Sequence, residues 1–110
     1  MAVRLANLAR VTTPTVGTGT VTLGPAVATF LSFAQAGVED GDMVTYALET
    51  VNDREIGRGV YHANGAPTLT RAEVLRSTNN NSRINLNGNA QVAITPAAED
   101  FLLMVDGGLY

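Results

Sequence analysis

A run of small β-branched residues, interrupted by glycine and proline at residues 11–23, most restricts how this 110-residue chain can fold. The run reads Val-Thr-Thr-Pro-Thr-Val-Gly-Thr-Gly-Thr-Val-Thr-Leu. β-Branched side chains favour extended strands, whereas glycine and proline disfavour a continuous helix. Every second residue from Thr18 to Thr22 is a threonine on one face of such a strand, and Val21 and Leu23 lie on the other. The run therefore predicts a sheet.

Further segments have the pattern of short strands and are separated by turn residues. Asn52-Asp53 predicts a hairpin between two of them, and Asn87-Gly88 is the strongest tight-turn dipeptide in the chain. Gly57 and Gly59 predict a bulge or a close backbone approach. The predicted strands are Met43–Thr50, Arg54–Tyr61, Thr68–Leu75, Arg83–Leu86 and Gln91–Thr95, with Val44, Tyr46, Leu48, Ile84, Leu86, Val92 and Ile94 facing inward.

For four segments the sequence does not decide between a helical turn and an extended conformation. Arg4–Arg10 is compatible with a helical turn or a lead-in strand, and Ala26–Phe33 with more sheet or one helical turn. Thr95-Pro96 resembles a helix start, with threonine as the cap and proline in the first turn. Phe101–Val105 is either one apolar helical turn or a tail that docks on a neighbour.

Short strands at this spacing predict an all-β fold, a small antiparallel β-sandwich or barrel with a short terminal helix or an extended tail. The length fits one domain, residues 1–110, and no internal linker is visible. We expect its core to span about residues 10–96 and its termini to be docking segments.

The composition excludes several function classes. The net charge is −3 and the seven arginines are scattered, which disfavours nucleic acid as the main partner. Lysine is absent, which excludes Schiff-base chemistry, and cysteine is absent, which excludes thiol catalysis and zinc–thiolate sites. The sequence has no secretion signal or apolar membrane span, so we expect a protein made in the cytoplasm that does not contact membranes.

Charged residues make up only 15% of the chain, against roughly 25% in ordinary globular proteins. The surface must therefore be covered largely by threonine, asparagine, serine and glycine. Such a surface suits lasting contact with neighbours. The alternative is a neutral monomer.

The candidate chemical groups favour structural roles. His62 is the only histidine and has no identifiable nucleophile or orienting group. The turn at residues 39–42 has three carboxylates but lacks the spacing of an EF-hand. Gly17-Thr18-Gly19 and Gly57-Arg58-Gly59 do not lead from a strand into a helix, as a phosphate loop would. The sequence thus predicts no catalytic residue, no cofactor and no metal site.

Four carboxylates raise the question of glycoside hydrolysis, which needs two carboxyl groups at a fixed separation beside a sugar cleft. The chain has no tryptophan to serve as a sugar platform, and a small sandwich leaves little room for a cleft. Salt bridges to arginines are the commoner explanation. The carboxylates are Glu49, Asp53, Glu55 and Glu73, and the arginines are Arg54, Arg58 and Arg71.

An ordered set of short motifs resembles a family of small bacteriophage virion proteins and fibre-anchoring domains. The set begins with Arg10-Val11-Thr12-Thr13 and continues to about Pro96. The chain departs from the family pattern at Arg54, where a tryptophan is usual, and it stops after one module without a fibre shaft. The other motifs are Gly17–Leu23, Phe30–Phe33, Gly41–Tyr46, Arg54–Tyr61, Leu69–Arg71 and Val74–Asn79.

The resemblance implies a β-rich, non-enzymatic phage tail or fibre component located in the virion. We therefore expect an oligomeric adaptor at the tail or fibre attachment region, whose partners are its own copies and neighbouring phage structural proteins. A capsid decoration protein is the first alternative, and a carbohydrate-binding module that uses Tyr46 or Tyr61 is the second. The interface anchors that we expect are Arg54, Arg58, Tyr61, Phe101 and Leu103.

Overall fold

The computed structural model describes residues 3–98 and residue 100, and this part is all-β, as the sequence predicted. No helix in it is long and apolar enough to cross a membrane. Its strands are β1 (Arg10–Thr13), β2 (Val16–Gly17), β3 (Val21–Thr22), β4 (Met43–Glu49), β5 (Arg54–His62), β6 (Thr68–Leu69), β7 (Glu73–Ser77), β8 (Leu86–Asn87) and β9 (Ala90–Ile94).

The main sheet is antiparallel and curls into a half-barrel. Its order is β1-β9-β4-β5-β6-β3, β7 also pairs with β5, and β2 and β8 form a separate two-stranded ribbon. The residues directly after β3 return to β1: the Gly24 N–H donates to the Thr12 carbonyl at 2.7 Å, and the Thr12 N–H donates to the Pro25 carbonyl at 3.0 Å. These bonds connect the two ends of the sheet, so the core lies inside the curl.

The alternation predicted for the central strands is confirmed. In β4, Val44, Tyr46 and Leu48 are buried on the inner face. β4 pairs along its whole length with β5, in the predicted hairpin. Alternation places every second side chain of an antiparallel strand on the core side. The same alternation buries Val21, Leu86, Ala90, Val92 and Ile94. The predicted strand Arg83–Leu86 is wrong in its bounds, because only Leu86 lies in a strand, β8, and Ile84 is buried outside any strand.

Other segments differ from the prediction. Thr68–Leu75 is two strands, β6 and β7, because the chain leaves the sheet at Arg71 and buries that side chain. Ala26–Phe33 contains no helical turn but adds isolated bridges to the β1 side of the sheet, at Ala26 and Leu31. Arg4–Arg10 is a lead-in segment, in which Arg4 bridges to Val44. Beyond Thr95-Pro96 the description ends at residue 100, so Phe101–Val105 lies outside the described residues.

Close backbone packing explains both glycines inside β5. A Cβ atom on Gly59 would lie 1.8 Å from the Thr70 carbonyl oxygen, and one on Gly57 would lie 2.4 Å from the Glu73 carbonyl oxygen. A register shift between Ile56 and Gly57 marks the predicted bulge in the pairing with β7. Glycine is required at these positions because neighbouring backbone occupies the space of a side chain.

We expect Gly59→Ala to lower the free energy of unfolding by about 3 kcal/mol, because the Thr70 backbone would have to move. Gly19→Ala is the matched control, since a Cβ there meets nothing within 4 Å. The control should change stability by no more than about 0.5 kcal/mol. Urea denaturation measures both, and equal stability of the two variants would contradict the packing at β5.

Candidate functional site

The most unusual feature of the interior is a cluster of three polar side chains, Tyr46, Glu55 and Arg71, which we call the buried network. Each side chain is at most 2% exposed. Tyr46 comes from β4 and Glu55 from β5, whereas Arg71 comes from the link between β6 and β7. Tyr46 lies opposite Gly57 in the β4–β5 pairing, and a Cβ on Gly57 would lie 2.6 Å from the Tyr46 hydroxyl. Glycine therefore makes room for the tyrosine.

The Arg71 guanidinium uses all five of its N–H donors. Nε donates to Glu55 Oε2 at 3.2 Å, and Nη2 donates to Glu55 Oε1 at 2.6 Å, in a bidentate ion pair. Nη2 also donates to the Ile84 carbonyl at 2.7 Å. Nη1 donates to the carbonyls of Gly17 at 3.4 Å and Gly19 at 3.3 Å. Lysine has three donors without this planar geometry, so it cannot reproduce the arrangement.

The Glu55 carboxylate is equally saturated. Besides the two bonds from Arg71, Oε1 accepts the Ile84 N–H at 2.8 Å and Oε2 accepts the Tyr46 hydroxyl. A carboxylate offers about four lone-pair sites, and all are occupied. The carboxylate is 1% exposed, so it is not presented at the surface of the described residues. These bonds hold the elements around Glu55 together.

The network changes the pKa values of two of its members in opposite directions. Burial alone would raise the pKa of Glu55, but hydrogen bonds from Arg71, Tyr46 and the Ile84 N–H hold it below its ordinary value. Burial, aided by the adjacent Glu55 carboxylate, raises the pKa of the Tyr46 hydroxyl well above its ordinary value of 10.0. Glu55 is therefore ionised and Tyr46 is neutral at physiological pH.

The network connects segments that have little regular structure of their own. Arg71 joins β5 to the turn between β2 and β3, and Glu55 holds the backbone of Ile84 through its N–H. Arg83 continues the connections, because its guanidinium donates to the Arg71 carbonyl at 2.6 Å and to the Thr18 carbonyl at 3.2 Å. Breaking such a buried pair leaves an uncompensated charge, which costs roughly 3–5 kcal/mol.

A second polar cluster lies on the outer face of the sheet. Arg58 of β5 donates to Asp100 Oδ1 at 2.7 Å, and Asp100 Oδ2 accepts the Ala97 N–H at 2.8 Å. Burial alone would raise the pKa of Asp100, but the Ala97 N–H and Arg58 hold it below its ordinary value. Thr45 is fully buried beside this contact although its side chain points away from the core. The described residues after β9 therefore cross β4 and place Asp100 on β5.

The expected interface anchors lie in different environments. Arg54 is exposed and bonds to Glu49 and to the Thr50 carbonyl. Arg58 is largely covered by the turn to Asp100, with 15% of its side chain exposed. Tyr61 is 3% exposed and packs against Phe33 in the core, with ring centroids 5.9 Å apart. Phe101 and Leu103 lie outside the described residues.

The salt bridges expected from the sequence are present. Arg54 pairs with Glu49 at 3.2 Å, Arg58 with Glu73 at 3.9 Å and Arg71 with Glu55 at 2.6 Å. Asp53 differs, because its carboxylate accepts the Thr78 hydroxyl at 2.9 Å. The carboxylates considered for glycoside hydrolysis are therefore engaged in contacts within the fold.

The remaining sequence candidates lie at the surface or in the core. His62 is exposed at the end of β5. In the turn at residues 39–42, Asp42 accepts the Glu39 N–H and Asp40 accepts the Ala63 N–H, both at 2.8 Å. Within residues 3–98 and residue 100, no cluster of three acidic or histidine side chains could hold a metal ion. Tyr46 and Tyr61 are buried, so neither ring is presented to a sugar.

Sequence reasoning identified the pairing of Glu55 with an arginine but not its burial. A signal was present: Glu55 has the same parity as Gly57, Gly59 and Tyr61, which face the core in β5. A charged residue on the inner face of a strand requires a partner that is also buried. Arg71 carried no such signal, because its strand-like surroundings do not reveal the break between β6 and β7.

We expect Glu55→Gln to lower the free energy of unfolding by about 3–5 kcal/mol, because the buried Arg71 loses its counter-charge. Glu73→Gln removes an exposed ion pair with Arg58 and should cost less than about 1 kcal/mol. In a double-mutant cycle, Glu55→Gln with Arg71→Met should be much less destabilising than the sum of the two single variants. Additive effects would contradict the coupling.

The pKa values of the network predict stability losses at both ends of the pH scale. Because the pKa of Glu55 is lowered on folding, its contribution is fully present above its ordinary value of 4.5 and is lost as pH falls through the folded-state value. Because the pKa of Tyr46 is raised, its contribution is present below pH 10.0 and is lost as pH rises further. The free energy of unfolding of Glu55→Gln should therefore fall less in acid than that of the parent protein. The free energy of unfolding of Tyr46→Phe should fall less in alkali than that of the parent. If either variant shows the same dependence of unfolding free energy on pH as the parent, the pKa shift assigned to that residue is contradicted.

Comparison with known proteins adds no further assignment. The chain matches no protein-family model, no curated protein and no solved structure.

Proposed function

We propose that this chain is a non-enzymatic structural protein of a bacteriophage virion, an oligomeric adaptor at the tail or fibre attachment region. Its partners would be its own copies and neighbouring virion proteins. The observation that carries the proposal is the contrast between a buried network whose side-chain donors and acceptors are all hydrogen-bonded and a surface with large exposed apolar side chains.

The interior supports the proposal through the residues that make up the phage-like motifs. Glu55, Gly57 and Gly59 belong to the motif Arg54–Tyr61, and Arg71 ends the motif Leu69–Arg71. These residues form the buried network or allow the close packing around it. The residues of these motifs are therefore needed to form the fold. A family of structural modules would be expected to share such residues.

The surface supports the proposal through its apolar residues. Leu5, Leu8 and Phe30 are 49%, 62% and 40% exposed. Only 15% of the residues are charged, so few ions oppose association. The Leu31 N–H donates to the Leu8 carbonyl at 2.8 Å, so the backbone at Leu8 lies close to the backbone next to Phe30. Neighbouring exposed apolar residues are typical of protein–protein contact sites.

Side-chain contacts suit this assembly better than pairing through the edge of β7. The Ser77 N–H on that strand already donates to the Asn81 side chain at 3.0 Å, and the register shift at Ile56/Gly57 distorts the pairing of β7 with β5. Bulges and capped donors are devices that discourage further strand pairing. We therefore expect subunits to meet through apolar side chains.

Two alternatives remain as candidate functions. A capsid decoration protein would use the same apolar surface on the head lattice. A carbohydrate-binding module would need an exposed aromatic platform; among the described residues Phe30 is the exposed aromatic ring, and Arg10 lies over it at 5.9 Å. That cover makes a sugar site there unfavourable.

Mass spectrometry of separated phage heads and tails tests the proposal. We expect the polypeptide in purified tails, at a copy number that is a fixed multiple of a symmetric ring. Its presence in heads alone would replace the adaptor with the decoration protein. Its absence from purified virions would overturn both.

A further inference from the structure

The chain contains two Asn-Gly dipeptides, and the fold holds them in different ways. Asn64-Gly65 lies in the loop between β5 and β6, whereas Asn87-Gly88 begins at the end of β8. In such a dipeptide the glycine nitrogen can approach the asparagine side chain closely, because glycine has no Cβ atom to obstruct it. Both glycines have a positive φ, 67° at Gly65 and 95° at Gly88. The difference between the two sites therefore comes from their surroundings.

Asn87-Gly88 is held by the ribbon of β2 and β8. Asn87 pairs with Val16 across this ribbon, and the Gly88 N–H donates to the Thr15 carbonyl at 3.2 Å. The side-chain oxygen of Asn87 accepts the Asn89 N–H at 3.1 Å. The glycine nitrogen and the asparagine side chain are thus both engaged in other contacts, and they can meet only after these contacts break.

Asn64-Gly65 is exposed and has no such restraint. In the part of the chain that the structure describes, no hydrogen bond involves the Asn64 side chain or the Gly65 N–H. A Cβ atom on Gly65 would meet nothing within 4 Å, so neighbouring atoms leave the space around it open. The loop is anchored one residue earlier, where the Ala63 N–H donates to Asp40 Oδ1 at 2.8 Å. The dipeptide itself is therefore able to change its conformation without breaking a bond of the fold.

We propose that Asn64 is a site of spontaneous deamidation in the folded protein, and that the fold protects Asn87 from the same reaction. The Gly65 nitrogen forms a bond to Cγ of Asn64, and the Cγ–Nδ2 bond breaks. The amide group leaves as ammonia, together with the proton of the Gly65 N–H. Water then opens the cyclic imide at either carbonyl, which leaves aspartate or isoaspartate at residue 64. Water is the co-reactant, and no oxidant or reductant is needed. This inference goes beyond the proposed function and does not depend on it.

The reaction changes the charge beside an acidic turn. Either product adds one negative charge to a chain whose net charge is −3. The new carboxylate follows Ala63, whose N–H is bound by Asp40 of the turn at residues 39–42, which also contains Glu39 and Asp42. Like charges that lie close together repel each other. Deamidation therefore weakens the contact between this loop and the acidic turn.

Peptide mapping of the full-length protein by mass spectrometry measures both sites in one sample. Trypsin cleavage after Arg58 and Arg71 releases residues 59–71, in which Asn64 is the only asparagine, and cleavage after Arg83 releases the segment that contains Asn87. One sample is aged in the folded state at mildly alkaline pH, and another is aged in denaturing urea. An unaged sample corrects for conversion during digestion.

In the folded protein we expect Asn64 to convert at least on the order of tenfold faster than Asn87, because Asn87 must first lose its hydrogen bonds. In urea the two rates should become similar, since the protecting contacts are gone. Conversion of Asn64 should yield aspartate and isoaspartate together, as opening of an imide requires.

Gly65→Ala tests the route of the reaction, because its Cβ atom obstructs the attacking nitrogen. This variant should slow the conversion of Asn64 several-fold. Gly17→Ala is the matched control, since Gly17 also has a positive φ and open space for a Cβ but does not follow an asparagine. The control should leave the conversion of Asn64 unchanged, although it introduces alanine into the same backbone region.

The proposal fails if Asn64 stays intact in the folded protein while it converts in urea, because the loop would then be protected. Equal rates at Asn64 and Asn87 in the folded protein would show that the ribbon gives no protection. Rates that stay tenfold apart in urea would assign the difference to neighbouring residues instead of the fold. Conversion of Gly65→Ala as fast as the parent would rule out attack by the residue 65 nitrogen.

Discussion

The ion pair between Glu55 and Arg71 is the interaction on which the rest of this structure depends. Taking two charges out of water is unfavourable, and their mutual attraction compensates only when the geometry is good and every other donor and acceptor is satisfied. Here the guanidinium donates to Glu55 and to the carbonyls of Gly17, Gly19 and Ile84. The carboxylate also accepts from Tyr46 and from the Ile84 N–H. Because the set is complete, removing one member leaves the others unpaired in an apolar interior.

This constraint explains how a chain with short strands maintains a defined shape. β2, β3, β6 and β8 have two residues each, too few for stable pairing alone. The buried network holds the turn between β2 and β3, and the segment before β8, against the long hairpin of β4 and β5. The same contacts occupy every polar atom of Glu55, so the most deeply buried carboxylate contributes to the fold. The large apolar side chains of Leu8 and Phe30 are instead presented to solvent.

The parts of the fold that follow from local pattern could be predicted from the sequence. Alternation at Val44, Tyr46 and Leu48 determines which face of β4 is buried, and Asn52-Asp53 ends that strand in a turn. The break at Arg71 could not be predicted, because it depends on a carboxylate 16 residues away and on carbonyls more than 50 residues away. Tyr61 was expected at an interface from its residue type, but its parity in β5 places it in the core. The φ of 67° at Leu8 could not be predicted either, since a single backbone angle leaves no trace in composition or spacing.

Native-state hydrogen exchange of the Ile84 amide tests the central claim most directly. Ile84 lies outside any strand, and its N–H is held by Glu55 Oε1 at 2.8 Å. If the buried network braces the fold, this amide should exchange only through global unfolding, as slowly as the amides of β4. Fast exchange of Ile84 while β4 remains protected would show that the segment opens locally, and would contradict the role assigned to the Glu55–Arg71 pair.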